Sequence, residues 1–238
     1  MKRIYIMIIS LCFFILRGGA QETNRWERGA KSEVCRQWVE SKLMKMSLKE
    51  KIGQLFIHTV EPVATPQNKK NISDAVKEYK VGGLLFSGGE WINQVNLTNY
   101  AQGMAEVPLL MTFDGEWGLA MRLKNTVSYP KNRVLGGIQD NQLIYEYGKE
   151  VARQCRLIGV HVNFAPVADV DNNPQNPVIN TRSFGSHPAN VAEKVVAYAR
   201  GLEDGGVLSV SKHFPGHGDT NVDSHKALPV LNFSRERL

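Results

Sequence analysis

Five short apolar segments, spaced along the chain with helical patterns between them, limit what this polypeptide can fold into. Gly53–Val60, Val81–Phe86, Pro108–Phe113, Val160–Ala165 and Val207–Ser211 read as strands. Several are continuous apolar runs, not alternating ones, as expected when both faces of a parallel sheet are covered. Between them, Ser73–Tyr79, Trp91–Met104, Asp140–Leu157 and Pro188–Asp204 carry helical spacing. Upstream, Lys31–Met46 places Val34, Cys35, Trp38, Val39, Leu43 and Met46 near helical spacing, and Ser47–Glu50 is a capping box opening another short helix. Repeated βα units of this kind predict an α/β fold, a (β/α)8 TIM-type barrel. About five units are visible, whereas such a barrel takes roughly 250 residues, so the 238-residue chain is expected to hold an incomplete barrel. An open doubly wound sheet is the competing architecture, but no GxGxxG or Walker sequence supports it.

The first residues carry a separate signal. Met1-Lys2-Arg3 is basic, Ile4–Leu16 is almost wholly apolar, and Gly18-Gly19-Ala20 offers small residues before Gln21. This is the pattern of a secretory signal peptide cleaved near Ala20, too short to anchor in a bilayer. It implies a periplasmic or extracellular protein. The expected organisation is a leader over 1–20, a helical extension over 21–46 and a barrel domain over 47–238. Leu11 before Cys12 argues against lipidation there. Without Lys2, Arg3 and Arg17, the 29 basic residues become 26 against 23 acidic ones. No basic cluster is interleaved with aromatics, which argues against a nucleic-acid partner. Cys35 and Cys155 show no zinc spacing and are expected as buried free thiols.

Polar motifs follow the third, fourth and fifth strands, where α/β enzymes keep their catalytic groups. After the third comes Phe113-Asp114-Gly115-Glu116-Trp117-Gly118-Leu119-Ala120-Met121-Arg122. Asp114 is placed to accept hydrogen bonds from the hydroxyls of a ligand. Trp117 is either an apolar face for a pyranose or core packing, and Glu116 reads as a solvated or structural carboxylate. After the fourth come Phe164-Ala165-Pro166-Val167-Ala168-Asp169-Val170 and Arg182-Ser183-Phe184. The fifth leads into Lys212–His225, fourteen residues holding three histidines, two aspartates and one lysine. Lys212 and His213 are two donors for adjacent hydroxyls. In an extended loop Asp223 would reach Nδ1 of His225, a pairing suited to general acid/base work near neutrality. His217, between two glycines, is expected to bond the loop to itself, and Asp169 to brace a loop. A metal site built from His213, His217, Asp219, Asp223 and His225 is the rival reading, weakened because Pro215, Gly216 and Gly218 forbid the helix that His-x3-His zinc ligands use.

Taken in order, these motifs resemble glycoside hydrolase family 3, in its N-acetyl-β-glucosaminidase branch, over roughly residues 47–231. The N-terminal extension and the leader resemble those of the larger exported members of Bacteroidetes-type bacteria. The resemblance implies an enzyme acting on an oligosaccharide without metal or other cofactor. His225 would be the acid/base and Asp223 its orienter. Asp114, Arg122, Arg182, Lys212 and His213 would contact the sugar. The Asp-x-His pair favours an N-acetylhexosamine over the glucosides and xylosides of sister branches. Family members are retaining, with an aspartate nucleophile after a later strand. That position is expected beyond Leu238, which leaves a non-catalytic carbohydrate-binding remnant as the alternative for a chain of this length. A downstream β-lactamase-like domain is also expected in the whole protein.

Overall fold

The computed structural model describes residues 32–234. The leader over 1–20 and the first part of the helical extension over 21–46 lie outside this range. The elements, in order, are α1 (Glu33–Lys45), α2 (Leu48–Gly53), β1 (Ile57–Val60), α3 (Pro66–Lys77), β2 (Gly83–Phe86), β3 (Gly89–Glu90), α4 (Trp91–Gln102), β4 (Leu110–Phe113), β5 (Leu123–Lys124), α5 (Asn132–Leu135), α6 (Asn141–Leu157), β6 (Val162–Asn163), α7 (Pro188–Asp204) and β7 (Leu208–Ser209).

The main sheet is five-stranded, in the order β1-β2-β4-β6-β7. Every pairing is parallel, with Ile57 opposite Gly83, Gly83 opposite Leu110, Thr112 opposite Val162 and Val162 opposite Leu208. Strand order follows chain order with no reversal, whereas a doubly wound sheet reverses at its switch point. This is barrel-type winding, open across five strands. A short parallel pair, β3 with β5, lies outside it.

The buried faces explain the apolar runs. Leu84, Met111 and Phe113 are fully buried and Phe86 nearly so. Val60, Ile72, Leu97 and Ala101 pack on the β1–β4 side, and Ile144, Val151, Tyr198 and Val207 on the β4–β7 side. Helices α6 and α7 lie against each other with backbones in near contact. A Cβ on Gly201 would stand 2.2 Å from the Tyr145 carbonyl oxygen and 2.9 Å from the Gly148 Cα. Gly201→Ala is therefore expected to destabilise the fold by about 1–3 kcal/mol through overpacking, despite the better helix propensity of alanine. Urea denaturation checks this, and an unchanged midpoint would contradict it.

Several boundaries differ from expectation. Helix α3 begins at Pro66 instead of Ser73, with Thr65 capping the Asn68 amide and proline in the first turn. Its first turns are polar and only Ile72, Ala75 and Val76 are buried, so apolar spacing did not reveal them. The fourth and fifth strands are shorter than their apolar runs. Pro166 lacks an N–H, and Ala165 turns back to the Asn163 carbonyl. Pairing resumes as a bridge between Val167 and Lys212. Helix α1 forms as predicted and is capped by Ser32, but buries nothing, and its Val34 is 78% exposed. Cys155 is buried, which pushes its thiol up to about 12. Cys35 is only half-buried, since α1 has no covering partner among the described residues. The capping box at Ser47 is present in both directions. No helix among the described residues is long and apolar enough to cross a membrane.

Candidate active site

The loop after β4 is held from beneath. Asn163 on β6, fully buried, accepts from the Gly115 amide through Oδ1 at 2.9 Å and donates to the Gly115 carbonyl from Nδ2 at 3.1 Å. A polar side chain inside the apolar run Val162-Asn163-Phe164 was the sequence signal for this brace. The paired backbone fixes the directions of Asp114 and Glu116 on either side.

Lys212 reaches this loop from beyond β7. Its amide donates to the Pro166 carbonyl and its carbonyl accepts from Ala168, which ties the end of β7 to the loop after β6. Its Nζ lies 2.5 Å from Asp114 Oδ1 and 2.9 Å from Glu116 Oε1. Arg122 donates to Asp114 Oδ2. Arg182 grips Glu116 with two parallel bonds, Nε to Oε2 at 2.9 Å and Nη2 to Oε1 at 2.6 Å, the bidentate geometry in which a guanidinium binds a carboxylate best. The same Nη2 lies 3.2 Å from His213 Nε2, and His213 Nδ1 lies 2.5 Å from Asp169 Oδ2. Asp114, Arg122, Arg182, Lys212 and His213 are thus joined in one hydrogen-bonded network.

Two features of this network refine the sequence reading. Of the two readings of Glu116, solvated or structural, the structure shows the second: its side chain is completely buried and bonded to both Arg182 and Lys212. The motif gave no signal for this, because both partners are distant in sequence. His213, taken as a donor to substrate, faces a guanidinium that can only donate. Its Nε2 is therefore the acceptor and its proton sits on Nδ1, donated to Asp169. Asp169 is the brace expected of it. It also accepts the amides of His213 at 3.1 Å and His217 at 2.6 Å.

Burial pushes the Asp114 carboxyl up, but the Lys212 charge and hydrogen bond, followed by those of Arg122, hold it below the usual carboxylate range. Burial likewise raises Asp169, and hydrogen bonds from the His213 ring and the His217 amide bring it below that range. Groups with depressed folded pKa values stabilise the fold above their unfolded value near ~4 and lose that contribution as pH falls through the folded value. The melting temperature, followed by circular dichroism, should therefore gain nothing from these two groups between pH 7 and 5 and decline below about pH 4. A melting temperature undiminished at pH 3 would contradict this.

The Asp223–His225 pair stands apart from the network. Asp223 Oδ1 lies 2.7 Å from His225 Nδ1 and also accepts the His225 amide at 2.9 Å. The segment is a turn closed by Lys226 and Ala227 amides on the Asp223 carbonyl, not the extended loop expected; an aspartate bonding its own backbone two residues on forms such turns. The amide and ring hydrogen bonds of His225 lower the Asp223 carboxyl. The His225 side chain is 79% exposed, and no hydrogen bond joins either residue to the Asp114 network among the described residues. The link is indirect. His217, buried, bonds Thr220 Oγ1 through Nδ1 at 2.6 Å and Ser224 Oγ through Nε2 at 3.0 Å. It is the internal tie its setting suggested, and it connects Asp169 to the turn. Among the described residues no group of three or more His, Cys, Asp or Glu side chains is arranged to hold a metal ion. Trp117 is half-buried with the Lys131 ammonium 5.4 Å from its ring centre.

Known proteins are similar to this chain in sequence and in fold. The chain is 36% identical over 180 residues to beta-hexosaminidase A of Pseudoalteromonas piscicida, covering 70% of this chain and 30% of that protein. It is 36% identical over 189 residues to the beta-hexosaminidase LpqI of Mycobacterium tuberculosis, covering 76% and 46%. It spans less than half the length of these relatives. Among solved structures, a glycoside hydrolase family 3 beta-N-acetylglucosaminidase from Paenibacillus sp. FPU-7 superposes with a TM-score of 0.73 at 37% identity, over 81% of this chain and 38% of that one. Residues 47–238 match the glycosyl hydrolase family 3 N-terminal domain, and the chain belongs to that family.

Proposed function

We propose that the protein carrying this chain is an exported, retaining exo-β-N-acetylglucosaminidase that removes terminal N-acetylglucosamine from peptidoglycan- or chitin-derived oligosaccharides. The observation that carries the reading is the Asp223–His225 pair, whose carboxylate takes Nδ1 and leaves Nε2 without a hydrogen-bond partner among the described residues, on the loop leading out of the Lys212-His213 strand end. Beta-hexosaminidase relatives and the leader pattern of residues 1–20 support it further.

On this reading the network is the sugar-binding floor. Asp114 accepts from ring hydroxyls, and Arg122, Arg182 and Lys212 offer donors. His213 lines the same floor, with Nε2 held against Arg182 and Nδ1 on Asp169. His225 Nε2–H protonates the leaving oxygen and then, as the base, takes a proton from water. Asp223 holds the tautomer that makes this possible and stabilises the imidazolium. A retaining path needs a second carboxylate as nucleophile, a role assigned to no residue of this chain.

The test is hydrolysis by the full-length protein of p-nitrophenyl glycosides. The N-acetyl-β-glucosaminide is expected to be turned over at least ~10-fold more efficiently than the β-glucoside or β-xyloside, the scale on which one well-placed substituent contact discriminates. Preference for either of the latter would overturn the substrate assignment.

A further inference from the structure

Glu116 is the buried group that the proposed chemistry leaves without a part. Its side chain is inaccessible to solvent, so it touches neither water nor a sugar bound above the network. Burying an ionised carboxylate is costly unless its partners compensate, and here they are two of the sugar-binding cations. Oε1 receives Arg182 Nη2 at 2.6 Å and Lys212 Nζ at 2.9 Å, while Oε2 receives Arg182 Nε at 2.9 Å.

The donor count of Arg182 shows what this fixes. Nε and one N–H of Nη2 are committed to Glu116, Nη2 also faces His213 Nε2, and one N–H of Nη1 points to the Val178 carbonyl at 3.3 Å. With its inner edge clamped, the guanidinium plane is set. That plane brings Nη2 to His213 and so selects the tautomer with the proton on Nδ1. Charge follows the same logic. Three cations, Lys212, Arg122 and Arg182, stand among three carboxylates, Asp114, Glu116 and Asp169. Without Glu116, three cations would crowd Asp114, and Lys212 and Arg182 would repel each other with no anion between them.

The geometry points to Glu116 as the positioning residue of the site: a buried carboxylate that clamps Arg182 and Lys212 in their sugar-binding orientations and, through Arg182, sets the His213 tautomer. The inference rests on the reading of those three residues as sugar contacts. It acts on substrate only through them, so its loss and theirs should not multiply.

Glu116→Gln, Arg182→Ala and the double variant, made in the full-length protein, test this. The amide keeps the carboxylate's shape but replaces an acceptor by a donor. Each single change is expected to lower kcat/KM on the N-acetylglucosaminide about 100-fold, the loss typical of ~1 Å misplacement. The double variant should fall well short of the ~10,000-fold product of independent effects. A crystal structure of Glu116→Gln should show Arg182 Nη2 withdrawn from His213 Nε2. Multiplicative losses, or Arg182 unmoved in that structure, would overturn the inference. Because the crystallographic comparison needs no turnover, a wild-type protein inactive on this glycoside would defeat the substrate assignment while still leaving Glu116 decided.

Discussion

Alanine at position 225 is expected to lower kcat/KM for the p-nitrophenyl N-acetyl-β-glucosaminide by between about 100- and 10,000-fold, the range for losing a positioned general acid/base. The structure adds a way to tell that loss from simple disruption. His225 is largely exposed and, among the described residues, its side chain bonds Asp223 alone, so its removal leaves the fold and the Asp114 network untouched. The melting temperature should shift by less than the change expected for ~0.5 kcal/mol, the usual span for exposed positions. The defect should also shrink as the leaving group becomes more acidic, because a good leaving group departs without a proton. A dinitrophenyl glycoside would then expose the second step, where the histidine acts as base. A uniform defect across leaving groups, or none, would end the assignment of His225. Asp223→Ala should produce a smaller loss, since the imidazole remains but its tautomer is no longer held.

The second large effect belongs to Asp114. Its carboxylate is the only one in the network that is both partly exposed and bonded to two cations, Lys212 and Arg122. Asp114→Ala should cost at least ~1,000-fold in kcat/KM. It removes an acceptor that a site built to bind hydroxyls relies on, and it leaves Arg122 without its carboxylate and Lys212 with Glu116 alone. Unlike His225→Ala, the defect should be independent of leaving group and should appear in KM as well as kcat. Truncating a charged partner also destabilises, so the melting temperature should fall measurably. Asp114→Asn separates the contributions, since it keeps the shape while giving up the charge. Activity of Asp114→Ala within threefold of wild type would show that the network does not form the sugar site.

Much of this was legible in the sequence because the relevant rules act locally. Helix α7 was readable to the residue: Pro188 opens it, and Gly205-Gly206 follow its last turn. The Ser47 capping box needed only four residues to declare itself. The end of β4 was visible because its apolar run gives way abruptly to Asp114, whereas β6 and β7 stop short of theirs. What stayed hidden depended on partners distant in the chain. Glu116 sits 66 positions from Arg182, and its burial follows from the pairing of β4 with β6 and β6 with β7, which no local pattern encodes. The donor or acceptor state of His213 likewise depends on which atom faces it. The first turns of α3 were hidden for the opposite reason: they are held by a cap and a proline, and bury almost nothing.

The separation of the Asp223–His225 turn from the rest of the site has a consequence for how such a protein can change over time. The residues proposed to hold the sugar stand on strand ends and on the loops beyond them and are joined to one another by ion pairs, so altering one disturbs its neighbours. The proton-handling pair is carried on an exposed turn fastened chiefly by His217 and Ser224. Insertions, deletions or substitutions in that turn meet little resistance from the fold. Natural variation can therefore trial new leaving groups, acceptors or reaction outcomes one loop at a time, above a grip that has no need to be rebuilt.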